Sequence, residues 1–200
     1  MLVIAITGGI GSGKTAVTDY LEEQGYPVID TDKMSHEMTA PGGKAIPYIR
    51  KYFGDDFVAP DGSLNRKKMR ELVYHNPEQM KVLERGTTDV IVADIKKLIG
   101  QYRKSGSSCV FVAIPLLFET GGSVSDYDEI WSVTAPKSLR VERVMRRDGL
   151  SMDMVERIMD KQVSDSERAE KSDELIENSG NLEELREKIE ALLCKYGIKN

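Results

Sequence analysis

Residues 8 to 15 read Gly8-Gly9-Ile10-Gly11-Ser12-Gly13-Lys14-Thr15, directly behind the short apolar run Leu2 to Ile6. The stretch matches the phosphate-loop pattern Gly-x-x-x-x-Gly-Lys-Thr in full, with Gly9 and Gly11 in addition, and it restricts the fold more than any other segment. Glycines let backbone amides turn inward around phosphate oxygens, and a helix opening near Gly13 adds the positive end of its dipole. Such a loop needs a strand before it and a helix after it. Leu2 to Ile6 supplies the strand. Val17, Tyr20 and Leu21, at i, i+3 and i+4, predict an amphipathic helix of about three turns that Gly25 stops. In that setting Gly8, Gly9, Gly11, Ser12, Gly13, Lys14, Thr15 and Ala16 are candidate ligands of a nucleoside triphosphate. Lys14 suits the β- and γ-phosphates as a mobile charge, and the Thr15 hydroxyl suits Mg2+.

Further β-rich apolar runs at Tyr26–Ile29, Cys109–Ile114, Glu129–Val133 and Leu175–Ile176 alternate with helical segments. The alternation predicts an α/β fold in which a five-stranded parallel sheet is flanked by helices. Between Asp32 and Ser108 only helical spacing recurs, in Ile46, Ile49 and Phe53, then Met69, Leu72 and Val73, then Val90, Ile91 and Ile95. We therefore expect a nucleotide-binding core of residues 1–33 and 108–200 and a helical, acceptor-binding insert of residues 34–107. A helical lid is expected at about residues 136–165. It starts near Pro136, has Val141, Val144 and Met145 on one face and Arg140, Arg143 and Arg147 on another, and stops at Gly149. Ser151 is placed to cap a second lid helix with Val155, Ile158, Met159 and Gln162 on one face. Asn181 and Glu184 form a capping-box-like start to the last helix.

A net charge of -5 argues against a general nucleic-acid binder. The sign is uneven, however: Lys137 to Arg147 carries five bases against one acid, and Arg50 to Arg70 six against three. Such islands suit small anionic ligands, or are solvated helix faces. The apolar run from Cys109 to Phe118 is far short of the roughly 20 residues of a bilayer-spanning helix. No basic leader precedes Leu2, and the two cysteines, Cys109 and Cys194, lie in no metal or redox spacing. The expected location is cytoplasmic, with no membrane partner, as a monomer or weak homo-oligomer.

The GTPase signatures Asp-x-x-Gly and Asn-Lys-x-Asp are both absent. Asp30-Thr31-Asp32 instead follows the second strand, at the end of a parallel sheet where ligands gather. On an extended segment the two carboxylates point the same way. One can accept the proton of an attacking hydroxyl, and the other can hold a metal-bound water as an outer-shell group for Mg2+. The competing reading makes Asp32 the N-cap of the following helix. Arg140, Arg143, Arg146, Arg147 and Arg157 are candidates for a lid over ATP, since guanidinium forks suit charge on a transferring phosphoryl group. These features read as a kinase for a small molecule, nucleoside or nucleotide; an ATP-binding regulator without catalysis is the alternative from another class.

The segments "ITGGIGSGKT", "VIDTDKMSHEMTAPGG", "YFGDDFVAPDGSLNRKKMREL", "PLLFE", "RVERVMRRDGLS", "RIMDKQ" and "SDELIENSG" occur in the order and approximate spacing of bacterial dephospho-CoA kinases. The resemblance spans nearly the whole chain. It implies ATP-dependent phosphorylation of the ribose 3′-hydroxyl of dephospho-CoA, the last step of coenzyme A synthesis.

What the resemblance further implies is that Gly8 to Thr15 hold ATP and Mg2+, that Asp32 is the general base and that Arg143 contacts the transferring phosphate. Arg147 and Arg157 fall at other arginine positions of the lid. Asp30, His36, Leu116, Leu117 and Glu119 would lie on the acceptor side, and the insert would help bind dephospho-CoA. His36 reads equally as a cap or packing residue. Two departures stand out: Thr88-Asp89 replaces a His-Pro pair usual in the family, and Arg140 aligns with a common lid glutamine.

Overall fold

The computed structural model describes residues 1–119 and 124–199. Residues 120–123 and 200, which the expected core range includes, lie outside the described residues. The chain divides into two compact units, Met1–Asp30 with Ile99–Asn200, and Thr31–Leu98.

In the first unit, strand β1 (Leu2–Gly8) runs into the glycine loop and helix α1 (Lys14–Glu23), followed by strand β2 (Val28–Asp30). Helix α1 ends in a Schellman turn: Gly25, at φ 83, donates to Glu22, and Tyr26 donates to the Leu21 carbonyl at 3.0 Å. That bond holds Tyr26 in the turn, so β2 starts at Val28 rather than at the expected Tyr26. Strands β3 (Cys109–Ala113) and β4 (Glu129–Thr134) lead to helices α7 (Lys137–Asp148), α8 (Met152–Met159) and α9 (Asp165–Glu170), then strand β5 (Glu174–Glu177) and helix α10 (Leu182–Lys195). Helices α2 to α6 lie between β2 and β3 and are described below.

All four strand pairings are parallel, in the order β2-β3-β1-β4-β5. Strand β1 is central, and alternation sorts its side chains between two apolar layers. Ile4 and Ile6 pack with Val17 and Leu21 of α1 and with Leu185, Ile189 and Leu193 of α10. Ala5 packs with Leu117, Phe118 and Ile130. The start of α10 is as its sequence predicts: Asn181 accepts from the Glu184 amide at 3.0 Å and donates to the Glu184 carboxylate at 2.9 Å. Ser151 occupies the N-cap position of α8, but its side chain makes no capping bond.

The second unit contains α2 (Thr31–Met38), α3 (Ile46–Phe53), α4 (Arg66–Tyr74), α5 (Pro77–Gly86) and the start of α6 (Thr88–Lys104), which continues into the first unit. Met38, Ala45, Ile46, Ile49 and Met69 form its own small core. Its one β feature among the described residues is an isolated bridge, Val58 to Leu64. Among the described residues, no helix is long and apolar enough to cross a membrane.

Candidate active site

The glycine loop joins the carboxyl end of the central strand to the amino end of α1, the switch point at which open α/β sheets collect phosphates. Gly11 and Gly13 have φ of 76 and 94, values that a side chain would strain. The first helical amides have no intrahelical acceptors. Those of Lys14 and Thr15, with the amides of Gly11 and Gly13, find no acceptor among the described residues. Ser12 Oγ is likewise buried without a hydrogen-bond partner. Lys14 is half-buried and makes no ion pair among the described residues. A short loop with this many unaccepted donors and one lysine fits a polyphosphate.

Gly9 and Gly11 also meet a packing demand. A Cβ on Gly9 would collide with the Arg140 guanidinium, and one on Gly11 would meet the Arg140 carbonyl and Val144. Both glycines let α7 approach the loop from behind. A Cβ on Gly13 would collide with the Asn178 side-chain amide.

Arg140 is buried and belongs to the frame of the loop. Its Nε donates to the Ile10 carbonyl at 3.0 Å, and its Nη1 pairs with Asp165 at 2.7 Å. Arg143 is half-buried, on the same side of α7. Its Nη2 donates to the Asn178 carbonyl at 3.1 Å, and its Nη1 makes longer contacts of 3.5 and 3.4 Å to the carbonyls of Gly11 and Ser12. Arg146, Arg147 and Arg157 are exposed. Arg147 forks onto Asp148 with two bonds of 2.7 Å, which push the arginine further up and hold the aspartate below the usual carboxylate range.

Asp30 is the last residue of β2, at the carboxyl edge of the sheet. Helix α2 starts at Thr31, so Asp32 lies inside its first turn and not at the N-cap. The chain leaves the extended conformation between the two carboxylates, and same-side alternation does not apply to them. Asp32 and His36 are both exposed within the second unit. Leu116 is exposed, whereas Leu117 is 1% exposed and packs in the apolar core. Glu119 is engaged with Arg168 at 2.7 Å, in a pair whose side chains are 11% and 1% exposed, and it also accepts from the Val163 amide at 3.3 Å.

Among the described residues no group of three or more His, Cys, Asp or Glu could hold a metal ion. An Mg2+ ion would take ligands mainly from phosphate and water, as that cation does beside a polyphosphate, and the exposed Thr15 hydroxyl is one suitable hard ligand.

Sequence reasoning left two residues of this site without a role. Asn178, just beyond β5, donates its side-chain amide to the Ser12 carbonyl at 2.8 Å. Gln162, expected on the α8 face, lies past the end of that helix and accepts from the Ile10 amide at 2.8 Å. The available signal for Asn178 was its place at the carboxyl edge of the sheet; for Gln162 no sequence signal separates this contact from helix packing.

The dephospho-CoA kinase family model matches residues 2–184. A dephospho-CoA kinase of Chromobacterium violaceum is 42% identical over 198 residues, covering 97% of this chain and 94% of that one. A Thermus thermophilus crystal structure is similar with a TM-score of 0.79 at 32% identity, covering 97% of both chains. The dephospho-CoA kinase structure from Campylobacter jejuni has a TM-score of 0.64 at 25% identity, covering 97% of this chain and 96% of that one. With family likeness running from the first strand into the last helix, the chain belongs to the dephospho-CoA kinase family.

Proposed function

We propose that the protein transfers the γ-phosphoryl group of ATP to the ribose 3′-hydroxyl of dephospho-CoA, giving coenzyme A and ADP. The observation that carries the reading is the family match across residues 2–184, in a chain whose glycine loop holds a lysine with no ion pair and several amides with no acceptor among the described residues. The ribose oxygen attacks the γ-phosphorus, the bond from that phosphorus to the β,γ-bridging oxygen breaks, and the ribose proton passes to Asp32. Lys14 and the loop amides neutralise charge on the phosphates, and Arg143 extends its guanidinium to the transferring group. Bound Mg2+ would add neutralising charge at the phosphates, with Thr15 as its protein ligand and Asp30 as an outer-shell group. Asp32 as base rests on its place in "DTD" and on its exposure; Arg147 and Arg157, being exposed, suit a lid that meets ATP only on closing.

The insert of residues 34–107, most of which falls in the unit Thr31–Leu98, is assigned to dephospho-CoA, with the basic stretch Arg50 to Arg70 toward its diphosphate, and residues 136–165 to the lid. His36 and Leu116 are exposed and suited to the acceptor side; Leu117 and Glu119 support that side from within. We assign a cytoplasmic location and a monomer or weak homo-oligomer, with no nucleic-acid partner. Incubation with Mg-ATP and a panel of dephospho-CoA, nucleosides and nucleotides tests the activity. The expected result is ADP together with a dephospho-CoA product heavier by one phosphoryl group, and no such product from dephospho-CoA overturns the assignment.

A further inference from the structure

Residues 162 to 165 tie three parts of the first unit together. Gln162 Oε1 accepts from the Ile10 amide at 2.8 Å, the Val163 amide donates to Glu119, and Asp165 pairs with Arg140. Arg140 in turn donates to the Ile10 carbonyl at 3.0 Å. Ile10 thus has both polar backbone groups satisfied by side chains, one from α7 and one from the segment after α8. No other residue of the loop is held in this way. Gly9 lies against the same two side chains, and a Cβ there would meet Arg140 first and Gln162 at 3.3 Å.

We infer that Gln162 is a positioning residue of the phosphoryl-transfer site, which acts with Arg140 through the Ile10 peptide to fix the loop whose amides meet the phosphates. A loop whose glycines allow many conformations needs an external constraint, since those glycines lose much conformational freedom on ordering. The Ile10 amide can point away from the phosphates only if something else accepts from it, and the Gln162 carbonyl oxygen does so. Without that acceptor the Ile10 peptide is free to rotate, and the neighbouring amides lose the geometry that a preorganised electrostatic site depends on.

The inference rests on the proposed activity, and the test separates the two. Gln162→Met keeps length and apolar volume but removes the acceptor; Gln162→Glu restores an acceptor oxygen at the same reach. ADP binding in the presence of Mg2+ is measured by calorimetry, which needs no acceptor substrate, and transfer to dephospho-CoA by ADP release. Gln162→Met is expected to weaken ADP binding and lower kcat by about tenfold each, less than the roughly 10²-fold of a 1 Å displacement. The KM for dephospho-CoA should stay within about twofold, and Gln162→Glu should return within about threefold of wild type in both measurements. Wild-type ADP affinity and kcat in Gln162→Met, or equal impairment in Gln162→Glu, overturns the inference. Should Gln162→Met fail to fold, Arg140→Lys, which keeps charge for Asp165 but loses the Nε donor, decides it by the same ADP readout: weakened binding supports the clamp and unchanged binding refutes it. A wild type that binds ADP but leaves dephospho-CoA unchanged refutes the activity, and the ADP series still judges Gln162.

Discussion

Asn178 and Ser12 are 166 residues apart in sequence, yet the Asn178 side-chain amide donates to the Ser12 carbonyl at 2.8 Å and is buried as it does so. The contact joins the carboxyl end of β5 to the back of the glycine loop. Asn178→Ala leaves that carbonyl only the longer 3.4 Å contact from Arg143, and since a fully unpaired buried group costs about 1 to 3 kcal/mol, the cost falls at the lower end of that range. We expect a loss of that size in urea unfolding. Asn178→Asp, which turns a carboxylate toward the same carbonyl, should do at least as much damage.

Lys14, Asp32 and Arg143 are assigned to charge that develops during transfer. Removing one preorganised electrostatic group typically lowers the rate about 10²- to 10³-fold, or roughly 3 to 4 kcal/mol. Lys14→Ala, Asp32→Asn and Arg143→Ala should each lose at least that in single-turnover transfer while still unfolding cooperatively, with Arg143→Ala at a lower Tm because it also strips donors from the Gly11, Ser12 and Asn178 carbonyls. A near-wild-type kcat in Asp32→Asn removes Asp32 as the base.

The Glu119–Arg168 pair is 2.7 Å long, and its arginine is almost wholly enclosed. Breaking a buried pair from one side strands the other charge, at about 3 to 5 kcal/mol. Glu119→Gln should therefore cost several times more stability in urea than Lys81→Met, which breaks the exposed Lys81–Glu78 pair of 3.0 Å. Replacing both partners, Glu119→Leu with Arg168→Met, should cost less than Glu119→Gln alone.

Glu174 is held below the usual carboxylate range, first by the Lys195 ammonium and also by the Tyr196 hydroxyl, which lies 2.7 Å away. Because its folded value is depressed, its contribution to stability is complete above the unfolded value of about 4.3 and is lost as pH falls through the folded one. Glu174→Gln should thus differ most from wild type at neutral pH, and the two Tm curves should converge as the pH falls below the folded value. A gap in Tm that persists unchanged into acid refutes the linkage.

The sheet and the loop were legible because their signals are local. Apolar runs with period 2, a glycine pattern and a capping pair such as Asn181 with Glu184 act within a few residues of themselves. The arginines of α7 were legible only as a group. Helical spacing puts Arg140, Arg143 and Arg147 on neighbouring faces, but whether a guanidinium turns to a carbonyl, as at Ile10, or to its neighbour, as at Asp148, depends on what packs opposite. Glu119 shows the same limit. Its position after β3 was visible, while its partner Arg168 comes 49 residues later and leaves no trace in spacing. Asp32 was judged on an extended backbone, and a helix start at Thr31 removed that premise.

The parallel order of the sheet has a consequence for synthesis. Strand β1 sits between β3 and β4, and its Leu2 pairs with Cys109 and its Ile4 with Glu129. A ribosome therefore releases the glycine loop roughly 5 to 20 s before the first of these neighbours, at about 5 to 20 residues per second. Throughout that interval the nascent chain carries every residue of the phosphate loop but neither flanking strand, and lacks Arg140, Gln162 and Asn178 behind the loop. Those side chains reach the loop only after most of the chain has been made.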